Sequence, residues 1–206
     1  PEDELPTAQL RVRLFTAAAE LLHDHGYHHL GLDHFVLPSD PLAKAQKSGE
    51  LYRNFQGYSI RRAKDLIGLG MSAIGHISGH FLANQRTLTK YQSATARKHF
   101  PTERAYKPTK VERAIASSIN EVMCHGKLNL EQASAQFGGP SRLYGTHALD
   151  RLNTLKADGL IEMDGQTMNV TPTGRFVLRH VAAALDPRFN AVEVAEAVRE
   201  RFSSGL

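Results

Sequence analysis

Apolar positions recur in two rhythms along this chain, and the change of rhythm divides it. After a proline-flanked start, Leu10, Leu14, Ala17, Ala18, Leu21 and Leu22 fall at helical spacing, with Thr7 as the N-cap and Gly26 as the stop. Tyr27 to Val36 then reads as one strand ended by Pro38. Ser39-Asp40-Pro41 opens a short helix running to about Gly49, because an aspartate cap followed by proline suits the first helical turn. Asn54 to Ile60 predicts a second short strand, Leu66 to Ile77 is a glycine-rich apolar stretch, and Phe81 to Ala94 predicts a helix.

Residues 99–108 are charged and polar and hold two prolines, so they read as a linker. Beyond it the pattern is mainly helical: Thr109 caps a helix to about Cys124, and Leu130 to Phe137 and Leu143 to Ala157 follow. Asp164-Gly165 between two short apolar runs signals a hairpin. Thr173 caps a helix to about Leu185, and a last helix is predicted near Ala191 to Phe202. Three helices and a hairpin form a winged-helix-like pattern. The expected organisation is therefore an α/β unit over 1–98, a linker over 99–108 and a mostly α, winged-helix-like unit over 109–206.

Composition narrows the function classes. Apolar residues make up 41% of the 206, which supports a folded core. No run of about 18 apolar residues exists, so no membrane partner is expected. Cys124 is the one cysteine, which excludes a disulfide framework and points to the cytoplasm. The net charge of +4 lies wholly in residues 1–108, with 14 basic and 10 acidic side chains, while residues 109–206 carry 11 of each. A neutral second unit argues against a nucleic-acid partner, although Arg151 and Lys156 would lie on the recognition helix of a DNA-binding reading. A histidine-rich metal site is also weighed. His23 and His25 suit a helix end, and His28 and His34 fall at opposite ends of the expected strand, so no metal ligand set is assigned.

Alternating strand and helix in the first unit predict parallel βα units. Two or three strands are too few to close a barrel, so the unit reads as the closing units of an α/β barrel. The open sheet edge left by the missing strands makes self-association an expectation. Asp33 and His34 would then sit at the C-terminal end of a strand, where such barrels place binding groups.

Several runs carry a family likeness. Gly31-Leu32-Asp33-His34-Phe35, Ala45-Gln46, Arg53-Asn54-Phe55-Gln56-Gly57-Tyr58 and Asp65 to Gly70 resemble the oxygen-independent coproporphyrinogen III oxidases of the radical SAM superfamily. So do Ser72-Ala73-Ile74, Met123-Cys124, Asp158-Gly159-Leu160, Val170-Thr171 and Gly174-Arg175, in order along nearly the whole chain. Ser59-Ile60 departs from the Thr-Thr pair usual after the tyrosine, and radical SAM haem chaperones are the neighbouring alternative.

The resemblance implies the C-terminal portion of a radical SAM-type partial barrel and its trailing domain. It implies S-adenosylmethionine and a 4Fe–4S cluster as cofactors of the full-length enzyme, with the three cluster cysteines outside this chain. It also implies oxidative decarboxylation of two propionates of coproporphyrinogen III to vinyl groups, so the partner is a small tetrapyrrole. By motif match Gln56 and Ile74 are the cofactor-binding candidates. Asp33, His34, Tyr58 and Arg53 are the substrate-cavity candidates, because a basic rim suits a substrate with four carboxylates. No catalytic residue is assigned, and the chain alone is expected to be inactive.

Overall fold

A computed structural model describes residues 5–189. The helix predicted near 191–202 lies outside the described residues. The first helix, α1 (Ala8–Asp24), is capped as predicted, with Thr7 Oγ1 accepting from the Leu10 amide at 3.2 Å. The segment read as one strand is instead a hairpin, β1 (His28–Gly31) and β2 (His34–Val36). Gly31 and Leu32 turn the chain at φ 148° and 56°, and only the glycine announced that turn. The helix α2 (Pro41–Ser48) follows with Asp40 as N-cap and a left-handed Gly49 as its end.

A second hairpin replaces the next predicted strand: β3 (Tyr52–Asn54) and β4 (Gly57–Ser59), with Phe55-Gln56 at the turn. A third is β5 (Ile74–Ile77) and β6 (His80–Asn84), joined by Ser78-Gly79. Both loop residues have positive φ, 49° and 77°, which matches the twist of a two-residue hairpin. The predicted helix from Phe81 is therefore a strand up to Asn84 and a helix, α3 (Leu88–Ala96), only afterwards. The predicted linker contains β7 (Thr102–Tyr106), which pairs with β6. Its prolines, Pro101 and Pro108, bracket that strand and remove no donor from its ladder, which shifts register at Ala83–Asn84.

All strand pairings among the described residues are antiparallel, so the parallel βα reading is corrected. Two-residue turns join β1 to β2, β3 to β4 and β5 to β6, and a parallel crossover needs a dozen residues or more. Asp33 and His34 consequently lie on a hairpin and not at the end of a parallel strand.

The helix α4 (Lys110–His125) starts with a complete capping box between Thr109 and Glu112. Beyond it come β8 (Lys127–Asn129), α5 (Leu130–Ser134) and a one-turn 3-10 segment. The predicted helix from Leu143 is two helices, α6 (Pro140–Tyr144) and α7 (Thr146–Ala157), separated by Gly145 at φ 80°. The strands β9 (Ile161–Asp164) and β10 (Thr167–Val170) form the predicted hairpin, and β10 also pairs with β8. The helices α8 (Pro172–Phe176), capped by Thr171 rather than Thr173, and α9 (Leu178–Ala183) close the described chain.

The main core joins Val122, Tyr144, Ile161, Met168, Leu178, Val181 and Leu185, all nearly inaccessible. A smaller cluster holds Leu30, Ala45, Leu51 and Cys124. One helix serves both: α4 turns Val122 and Met123 into the first core and Cys124 into the second. It is the element against which the first two hairpins are positioned.

Candidate functional site

The two hairpins dock on the C-terminal end of α4. A helix leaves its last four carbonyls without intrahelical donors. Here side chains from distant segments supply two. Tyr58 on β4 donates its hydroxyl to the Met123 carbonyl at 2.8 Å, and Gln46 on α2 donates Nε2 to the Cys124 carbonyl at 2.7 Å. The same Gln46 nitrogen donates to Leu30 O at 3.1 Å, while its Oε1 accepts from His28 Nε2 at 2.7 Å. From α4, Asn120 Nδ2 returns a bond to Arg53 O at 2.7 Å.

On that platform four of the predicted residues come together. Arg53 and Tyr58 are direct cross-strand partners on β3 and β4, and the guanidinium carbon lies 5.6 Å from the ring centroid. The His34 ring meets Tyr58 edge-on, with centroids 5.1 Å apart and planes at 84°. Asp33 Oδ1 lies 2.9 Å from His34 Nδ1, a close contact without hydrogen-bond alignment. His34 Nδ1 and Arg53 Nε are buried nitrogens without an aligned hydrogen-bond acceptor among the described residues. Burial pushes the Tyr58 hydroxyl up to about 12, with the nearby Cys124 adding to the rise and Arg53 opposing it. It therefore stays protonated and keeps donating to Met123.

The two cofactor-binding candidates lie apart from this cluster. Gln56 occupies the β3–β4 turn, side chain exposed, and its amide N–H donates to Asn54 Oδ1 at 2.8 Å. Ile74 opens β5 and is 38% exposed. It lines an apolar cavity of about 210 Å³ with Phe55, Phe81 and Arg104 among its walls. Phe55 and Phe81 meet edge to face at 5.7 Å. Gln56 is thus the chain neighbour of a cavity residue. Sequence reasoning missed Phe55 and Phe81 as lining residues, and it missed Gln46 and Asn120 as supports. Phe55 stood inside a quoted motif, but Phe81 carried no signal because its segment read as helix.

The donor chemistry does not fit an iron–sulfur cluster held by these residues. Burial pushes the Cys124 thiol up to about 12, assisted by Glu121, and its Sγ donates to Asn120 Oδ1 at 3.5 Å. Among the described residues no group of three His, Cys, Asp or Glu side chains converges on one point.

Comparison with known proteins places this geometry. No family model matches the chain. A solved structure of coproporphyrinogen III oxidase from Escherichia coli, a radical SAM enzyme, superimposes with a TM-score of 0.83 at 30% identity, covering 92% of this chain and 44% of that one. The mixed α/β fold is therefore that of part of a radical SAM protein. An oxygen-independent coproporphyrinogen III oxidase of Synechocystis is 35% identical over 190 residues, and one of Pseudomonas aeruginosa is 32% identical over 201. These alignments cover 90% and 98% of this chain, and the chain spans only 41% and 43% of those proteins. The chain is a relative of the oxygen-independent coproporphyrinogen III oxidases, as its motifs indicated.

Proposed function

We propose that this chain supplies part of the active chamber of an oxygen-independent coproporphyrinogen III oxidase, which converts two propionates of coproporphyrinogen III to vinyl groups. The observation that carries the reading is Arg53 Nε, a buried guanidinium nitrogen that finds no acceptor among the described residues, beside His34 Nδ1, whose one close acceptor is the poorly aligned Asp33 carboxylate. Buried donors left unsatisfied cost free energy, and a carboxylate is the acceptor a guanidinium and an imidazole satisfy best. Tyr58, fixed by Met123, holds the His34 ring and the Arg53 guanidinium in place. A haem-chaperone role would use the same cluster for a propionate without decarboxylation.

S-adenosylmethionine supplies the hydrogen-abstracting chemistry in enzymes of this class. The wall of Phe55, Ile74 and Phe81 fits an apolar or aromatic face of such a ligand, with Gln56 beside it as a polar contact. The cluster ligands belong to a part of the protein other than these residues.

The order α4, β8, α5, α6, α7, β9, β10, with β8, β10 and β9 in one sheet, supports a winged-helix-like second unit over 109–206. It acts here as a lid on the chamber walled by residues 1–98. Arg151 on α7 is not available to a nucleic acid: it donates to Ala184 O at 2.9 Å and Asp186 O at 2.7 Å, capping α9. No helix among the described residues is long and apolar enough to cross a membrane. The lone, buried Cys124 suits a reducing, cytoplasmic setting.

The test titrates coproporphyrin III, the stable oxidised analogue, into the chain and follows porphyrin fluorescence. Saturable binding is expected, weakened about tenfold or more in Arg53→Met with the circular dichroism spectrum unchanged. Equal binding by the two proteins overturns the assignment.

A further inference from the structure

An arginine side chain is long and flexible, so it receives a carboxylate well only when its base is fixed, to within about 0.5 Å. Two bonds to α4 fix the base of Arg53, one through each strand of its hairpin. On β4 its cross-strand partner Tyr58 donates to the Met123 carbonyl at 2.8 Å. On β3 the Arg53 carbonyl itself accepts from Asn120 Nδ2 at 2.7 Å. Asn120 and Met123 are three apart, so both bonds fall on one face of the helix.

The Asn120 carboxamide has one orientation open to it. The Arg53 carbonyl carries no proton, so the amide nitrogen must face it. The amide oxygen then accepts from Cys124 Sγ at 3.5 Å, one turn further along α4. Burial, with Glu121 adding to it, pushes that thiol up to about 12, so it keeps its proton and donates. Cys124 thus orients Asn120, and Asn120 holds the backbone of Arg53.

We propose that Asn120 is a positioning residue for carboxylate recognition: through the Arg53 carbonyl it sets where the Arg53 guanidinium lies over the Tyr58 ring. This role rests on the carboxylate-binding reading of Arg53 given above. Asn120 acts through Arg53 and not on the ligand. Without its bond, β3 is held to α4 only through its partner strand, and the guanidinium loses its fixed base.

A double-mutant cycle with coproporphyrin III and the full chain, read by porphyrin fluorescence, tests this. Asn120→Ala is expected to raise the dissociation constant about fivefold, and to add no loss in the Arg53→Met background. Each variant is first matched to wild type by circular dichroism. Asn120→Leu, which nearly conserves volume, repeats the cycle where the alanine variant does not fold. An equal loss in both backgrounds overturns the proposal, because Asn120 would then support the fold and not the guanidinium. So does unchanged binding by Asn120→Ala where Arg53→Met weakens it, a result that leaves the carboxylate-binding reading standing. Unchanged binding by Arg53→Met removes that reading and this role together.

Discussion

The Tyr58 hydroxyl donates to the Met123 carbonyl at 2.8 Å, across 65 residues of sequence, and so caps from outside a helix that does not cap itself there. Gln46 does the same for the Cys124 carbonyl next along the chain. The Tyr58 bond ties the candidate carboxylate-binding cluster to the main core, because Tyr58 belongs to that cluster and Met123 to that core.

Removing the Tyr58 hydroxyl tests that tie. Tyr58→Phe keeps the ring but strands a half-buried carbonyl, a loss of about 1–3 kcal/mol. The urea midpoint should fall with the slope of the transition unchanged. Combined with Gln46→Met, the two losses should fall short of or exceed simple addition, since both bonds anchor one helix end. Strict additivity in the double-mutant cycle would show that the two caps act independently.

Acid should loosen the start of α4. Tyr106 donates to Glu112 Oε1, the Thr109 amide donates to Oε2 at 2.8 Å, and Arg188 lies against the same carboxylate. The Tyr106 bond first, then the Thr109 amide, holds the carboxyl down at about 2 from an ordinary 4.5. A depressed carboxylate stabilises the fold fully above the unfolded value and loses that contribution as pH falls through the folded one. The stability gap between wild type and Glu112→Gln should therefore be constant above about 4.5 and close as pH falls towards about 2. Melting temperatures recorded across that window check it; a gap that widens on acidification contradicts the assignment.

The thiol of Cys124 should be inert in the folded chain. It is 1% exposed, and burial lifts it to about 12, so little thiolate exists at pH 8. Titration with an aromatic disulfide reagent should give no reaction in buffer and one thiol in concentrated urea. Rapid labelling under native conditions would mean that the end of α4 opens.

Much of the helical layout was legible because helix ends are chemically local. Thr7, Asp40 and Thr109 cap as expected, since an N-cap needs only a side-chain oxygen near its own backbone. The hairpins were not legible. In the Gly31-Leu32-Asp33 turn the positive φ of 56° falls on a leucine, which has no intrinsic preference for it. At Ser78-Gly79 the turn signal stood in the sequence but was outweighed by the apolar residues around it. Those errors moved Asp33 and His34 from a strand end to a hairpin, yet the motif match still selected residues that meet.

The sequence by itself determined kinship and set Arg53 and Tyr58 in one short run. Arg53 and Tyr58, five apart in one run, are bound to meet once that run turns back on itself. Only the tertiary structure decided that His34 joins them, that Gln46 and Tyr58 cap α4, and that Phe81 faces Phe55. These contacts join segments far apart along the chain. Their formation depends on burial and on satisfying carbonyls that no nearby residue reaches, and neither quantity exists until the chain is packed.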